Sequence, residues 1–251
     1  TSRSTRLTRA GNLFLEHVPR IFMALQQARD SVKASANGFH GQLRIALSDG
    51  MTPSRLPALL ALCRQEEPEV EIRLFEVSLA QQLKGLHEDL YDVGLAQSAN
   101  VGDGILAVEA WSDPLHIALP ARHPLLAYKR IPLDEVLRYP LVMGDPQFCE
   151  GYCQQIERIL RVADQKPLVA EQVMSCELMM AMVAAGLALG LAGASQIAGG
   201  REQGIVSRPL AGRPPVLTTY LLRLDREPSE RLSRFVERVV AVPSCVTSSG
   251  R

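Results

Sequence analysis

From Leu43 onward, short apolar runs alternate with segments whose apolar residues recur every three or four positions, and this alternation constrains the fold more than any other feature. Leu43–Leu47 reads as a strand entering a buried sheet, and Ser48-Asp49-Gly50 breaks the run with turn residues. A helix over residues 54–66 follows, with Leu56, Leu59, Leu60 and Cys63 at helical spacing. Strand Val70–Phe75, helix Leu79–His87 and strand Tyr91–Leu95 complete a βαβαβ unit, for which a parallel sheet with right-handed crossovers is expected. After a glycine-rich loop at 102–104, the apolar segment Pro114–Leu119 and a charged stretch at 120–134, the pattern restarts. Strand Pro140–Met143, helix Cys149–Val162, strand Leu168–Glu171, helix Ser175–Ala185 and strands Ala188–Leu191 and Ile205–Pro209 form a second α/β half. Strand Val216–Arg223 and helix Ser229–Val242 are expected to return to the first half, which is short of strands. The result is an α/β fold of two Rossmann-like lobes, two crossover strands and a cleft between them.

Upstream, residues 9–36 are the most helical stretch. Phe14, Val18, Ile21, Leu25, Ala28 and Val32 are spaced 4, 3, 4, 3 and 4, a heptad seam too narrow to bury itself. Its simplest partner is its own copy in a dimer; the alternative is an amphipathic helix lying on its own domain. Pro19 sits inside it, so the helix is expected to kink near Glu16 or to divide into two. Asn37-Gly38-Phe39-His40-Gly41 reads as a hinge-like linker.

Charge excludes some functions. With 27 Lys and Arg against 27 Asp and Glu, the whole chain has no electrostatic signature of a nucleic-acid or membrane binder, although Arg3, Arg6 and Arg9 could neutralise phosphates locally. Leu178–Ile197 contains Gly186, Gly190, Gly193 and Ser195 and reads as a buried helix plus strand, so no membrane partner is expected. Five cysteines, an odd number without framework spacing, and the lack of a signal peptide point to reduced thiols and a cytoplasmic location. His17, His40, His87, His116 and His123 are scattered without metal spacing, and no phosphate loop follows a strand. Neither a cofactor nor an enzyme activity is expected.

Several short motifs occur in a fixed order. Arg6-Leu7-Thr8-Arg9-Ala10-Gly11, Gly41-Gln42-Leu43-Arg44-Ile45-Ala46, Leu56-Pro57, His123-Pro124-Leu125 and Val183-Ala184-Ala185-Gly186-Leu187-Ala188-Leu189-Gly190-Leu191 together resemble LysR-type transcriptional regulators. So do Leu83, Leu86, Asp92, Val93 and Gly94, with Asp89 where that pattern has a glycine. The resemblance implies a linker helix and a two-lobed, periplasmic-binding-protein-like domain that binds a small effector between its lobes, in a homodimer or homotetramer. It places the end of the wing and the linker helix at 1–40, the first lobe at 41–115 and 214–243, the second at 116–213 and a tail at 244–251. The family's helix-turn-helix would precede Thr8, so DNA is expected as a partner only through a module absent from this sequence. A stand-alone solute-binding protein shares the architecture and is the alternative.

By the same resemblance the effector contacts Ser48, Asp49, Gly50, Met51, Thr52, Leu79, Gln97, Gly144, Asp145, Phe148 and Ser175. These fall at strand C-termini or helix N-termini, where free backbone N–H groups favour ligands. Such a pocket suits a small organic effector, an aromatic or aliphatic acid. Gln97 stands where relatives that bind aromatic carboxylates can carry an arginine, and Asp49 and Asp145 lie near the mouth, so a neutral or monoanionic molecule fits as well. The alternative for both aspartates is helix capping. Cys149 falls near the reactive cysteine of peroxide-sensing relatives, and a helix N-terminus there would lower its pKa, which raises a redox-sensing alternative.

Overall fold

A computed structural model describes residues 7–49, 54–163, 165–199 and 204–242. Gly50, Met51, Thr52 and the 244–251 tail lie outside the described residues.

Helix α1 (Arg9–Ala36) is one helix of 28 residues that runs through position 19, so Pro19 does not divide it. Its seam has no cover: Phe14, Ile21, Leu25 and Val32 are 60–70% exposed.

The first lobe is built on β1 (Gly41–Leu47), paired in parallel with β2 (Val70–Glu76) and β3 (Val93–Ala96). The crossovers are α2 (Leu56–Glu66) and α3 (Leu79–His87). Ser78 and Gln81 form a reciprocal capping box that fixes where α3 begins. Beyond β3 the sheet turns antiparallel, as β9 (Val216–Leu224) lies between β3 and β4 (Ile105–Pro120), giving the order β2-β1-β3-β9-β4. The C-terminal strand thus pairs with β3 and β4, in the sheet that β1 begins. Helix α8 (Glu230–Ala241) covers this sheet beside α2, with Phe235 fully buried and the Trp111 indole N–H donating to the Val239 carbonyl at 3.0 Å.

Strand β4 is longer than the sequence suggests. It spans 16 residues, and a register shift between Glu109 and Trp111 breaks the alternation that would have marked its first half. Through Pro114 it pairs with β9; from Leu115 it pairs with β7 (Leu189–Gly193), and its end also with β8 (Ile205–Pro209). The second sheet continues from β7 to β5 (Leu141–Gly144) and β6 (Val169–Val173), both parallel. A 3-10 turn (Pro124–Ala127) and α4 (Leu133–Val136) follow the crossing. Helices α5 (Glu150–Leu160), α6 (Cys176–Ala184) and α7 (Ala194–Ala198) complete the lobe around a core that includes Leu115, Ile117, Tyr152, Ile156 and Leu191.

Candidate functional site: the interlobe seam

The seam is assembled from chain reversals at the ends of buried strands. β1 extends by one bond, from the Ser48 N–H to the Leu95 carbonyl at 3.2 Å, and Asp49 then takes a left-handed backbone (φ 72°). Few side chains tolerate that conformation; aspartate is among them. On the other side, Asp145 closes a turn by accepting from the Gln147 N–H at 2.8 Å, and its carbonyl accepts from Cys149 N–H at 2.7 Å, which starts α5. Cys149, the N-cap residue, supplies no side-chain cap.

The cap comes from the other lobe. Asp49 Oδ1 accepts from the N–H groups of Gly151 (2.6 Å) and Tyr152 (3.3 Å), in the first turn of α5. Oδ2 accepts from the Gln97 N–H (2.8 Å) and the Ser48 hydroxyl (3.0 Å). One buried carboxylate thus accepts from both lobes and lies at the positive end of a helix. Of the two aspartates for which the sequence left capping open, Asp49 caps a helix 102 residues away rather than the one that follows it.

Around this seat the lobes touch directly. A Cβ on Gly151 would lie 2.5 Å from the Gln97 carbonyl carbon, so only glycine allows the approach. Gln155 donates from Nε2 to the carbonyls of Gln97 (2.6 Å) and Thr218 (2.8 Å), and its Oε1 accepts from Thr218 N–H (2.8 Å). Farther along, Asp113 accepts from the Ser195 N–H at 3.2 Å and from its hydroxyl, while the hydroxyls of Ser54 and Ser195 lie 2.7 Å apart across the seam. Between these contacts is a cavity of about 20 Å³, bordered by Arg55, Gln97, Trp111, Ser112, Asp113 and Thr219. That is room for about one water molecule. Among the described residues, Arg55 Nε and Gln97 Oε1 are buried without a hydrogen-bond partner. Two larger grooves, about 450 and 520 Å³, lie away from the seam, along β6 and β2.

Ser48, Asp49 and Gln97, anticipated from the sequence, meet here at the α5 N-terminus. Gly144 and Asp145 lead into that helix, and Gly144 lies against the Tyr152 ring. Leu79 is buried in the first-lobe core with Leu86 and Leu222, Phe148 is half-exposed, and the Ser175 hydroxyl caps α6 by accepting from Leu178 N–H. None of these three borders the small cavity. Arg55, Asp113, Gln155 and Ser195 were not anticipated, and only the contact between lobes reveals their roles.

The same geometry weighs against the redox alternative. The helix N–H groups that would stabilise a thiolate are taken by Asp49. Burial, with the charges of Asp49 and Asp145, pushes the Cys149 thiol up to about 11, and burial pushes the neighbouring Cys153 up to about 12. Reactive thiols lie below the ordinary value. No cluster of possible metal ligands occurs among the described residues.

Comparison with known proteins gives one consistent answer. The family model described as the LysR substrate binding domain matches residues 36–243. The uncharacterized HTH-type transcriptional regulator YnfL of Escherichia coli strain K12 is 26% identical over 196 residues, 78% of this chain and 66% of the relative. The chain spans 61–66% of the length of the first curated relatives it matches. Among solved structures, full-length CbnR complexed with target DNA superposes with a TM-score of 0.78 at 23% identity, covering 96% of this chain and 84% of that one. The BenM effector binding domain with its effector benzoate gives 0.71 at 20% identity, covering 81% and 92%.

Proposed function

The chain belongs to the LysR substrate-binding-domain family, and from that premise we propose that it is the effector-sensing and oligomerising part of a bacterial transcriptional regulator. A small organic molecule binds between the lobes, changes how they sit on each other, and passes that change through α1 to a helix-turn-helix that reads DNA. The observation that carries the reading is the interlobe seam, where two sheets that share β4 meet over buried polar groups. The BenM domain, of the same fold, binds benzoate, and CbnR binds target DNA; the relatives' names are those of regulators rather than enzymes. Because β4 changes partners between Pro114 and Leu115, we place the lobe boundaries near 115/116 and 213/214.

The second part of the proposal concerns α1. A stripe of Phe14, Ile21, Leu25 and Val32 exposed by 60–70% is costly in water, and burying it against a second copy removes that cost. Val18 and Ala28 complete the seam. The chain is accordingly a homodimer or homotetramer and acts in the cytoplasm.

Thermal-shift screening tests the sensing function. A panel of aromatic and aliphatic acids, neutral polar molecules and amines is expected to contain a compound that raises Tm saturably, since a ligand at 100 times its Kd adds about 2.7 kcal/mol. If no compound does so, effector sensing in the cleft is refuted. Light scattering of Leu25→Glu tests the assembly. A monomer is expected, and an unaltered oligomer refutes pairing through α1.

A further inference from the structure

We propose that Asp49 is a built-in ligand: its carboxylate fills the anion seat of the interlobe cleft, holds the lobes together there, and excludes carboxylates from that seat. The inference rests on the reading of the cleft as an effector site and narrows the class of effector. Four donors from two lobes converge on one carboxylate, each oxygen taking two: Ser48 hydroxyl and Gln97 N–H from the first lobe, Gly151 and Tyr152 N–H from the second. Donors so arranged at a helix N-terminus would suit a free formate, acetate or benzoate. Here the anion is covalently part of the chain and buried.

Tethering decides the competition. A free carboxylate must displace one whose effective concentration, for a tether of a few bonds, is millimolar or far higher. Nor is Asp49 an ordinary surface aspartate that swings aside: its backbone is held left-handed, and its neighbour Ser48 is bonded to the β3 carbonyl of Leu95. The nearby unpartnered groups are one donor, Arg55 Nε, and one acceptor, Gln97 Oε1. They suit an uncharged molecule carrying both an acceptor and a donor. The Arg55 guanidinium and the Asp113 carboxylate border the same small cavity with opposite charges, so no net positive charge remains there to draw an anion in.

The test is replacement of the carboxylate from solution, with the 251-residue chain throughout. Asp49→Gly removes the side chain, and glycine accepts the left-handed backbone, so the change is confined to the seat. Tm is followed against sodium formate and sodium acetate, with sodium chloride at equal ionic strength as reference. The variant is expected to melt lower than the wild type and to regain stability saturably with formate. The wild type is expected to need at least about 100-fold more formate for the same response, in line with the effective concentration of a tethered group. Equal formate responses in the two proteins, or a variant as stable as the wild type in chloride, overturn the proposal. If Asp49→Gly is obtained only in the presence of formate, that dependence is the rescue itself. If it is not obtained at all, Asp49→Asn decides, because an amide turns donor hydrogens toward one pair of N–H groups. A lowered Tm is then expected, and an unchanged Tm overturns the proposal. The outcome is independent of the effector screen: formate rescue can fail while a neutral effector still binds, and the seat can be real in a protein that senses nothing.

Discussion

Replacing Gln155 with leucine tests how the lobes are held. The Gln155 amide acts on β9 as a neighbouring strand would, accepting from the Thr218 N–H and donating to the Thr218 carbonyl, and it also donates to Gln97. Gln155→Leu keeps the volume nearly constant and leaves one N–H and two carbonyls short of partners. Each buried unsatisfied group costs about 1–3 kcal/mol, and carbonyls with a second lone pair or access to water fall at the low end, so the loss is about 3 kcal/mol. For a chain of this size that is a fall in Tm of about 6–12 °C. Calorimetry or urea denaturation reads it directly. Gln155→Glu sharpens the test: at pH 7 its carboxylate still accepts from Thr218 N–H but turns its other oxygen toward two carbonyls. Protonation restores a donor, so its deficit relative to wild type is expected to shrink as pH falls toward 5. A Gln155→Leu protein within about 1 kcal/mol of wild type, or a Gln155→Glu deficit that ignores pH, refutes the strand-mimic argument.

Other outcomes follow from the same geometry. Gly151→Ala pushes a methyl to 2.5 Å from the Gln97 carbonyl carbon and 2.6 Å from the Ser98 nitrogen, both backbone. A loss of about 1–3 kcal/mol and a larger radius of gyration by X-ray scattering are expected; an unchanged radius counts against direct lobe contact. Burial works against ionisation of Glu67, but hydrogen bonds from Arg238 and Arg234 outweigh it and hold the carboxyl below its ordinary value. A depressed folded pKa stabilises above the unfolded value, about 4.3, and that stability is lost as pH falls through the folded one. Glu67→Gln is therefore expected to be less stable than wild type at pH 7, with the gap closing below about pH 4, and a constant gap in urea midpoints would falsify this. Cys149, with its thiol pushed up to about 11, is expected to resist iodoacetamide at pH 8 until the protein is unfolded in urea; rapid labelling of the native chain by mass spectrometry contradicts its burial.

Most of the architecture was legible because buried parallel strands write apolar runs and their crossover helices write a 3.6-residue period. β1, β2, α2, α3 and β8 fall within a few residues of expectation. The first half of β4 did not, since Ile105-Leu106-Ala107-Val108-Glu109-Ala110 carries no alternation and the register shift at Glu109/Trp111 moves the inward face. At the seam, Ser48, Asp49 and Gln97 were legible as strand ends. The partners of Asp49 were not, because a sequence gives local capping rules, and Asp49 caps the far lobe's helix. Gln155 looked like one polar residue of an amphipathic helix. Nothing local distinguishes it from Gln154, whose amide donates to Glu150 on its own helix and accepts one long bond, 3.4 Å from the Ser98 hydroxyl.

The return of β9 to the first sheet has a consequence for biosynthesis. The strands of the second sheet other than β4, from β5 to β8, follow one another in sequence and can pair with the end of β4 before β9 is made, whereas the first sheet must wait for β9. Between β3 and the arrival of β9 lie about 120 residues, or roughly 6–24 s of translation. Through that interval β3, all four of whose residues are buried in the finished protein, presents an open, apolar edge to its surroundings. Such an edge templates pairing with other chains. The nascent polypeptide thus passes through a stage in which the second sheet can be paired while the first is unfinished, and chaperone capture or aggregation competes there with completion.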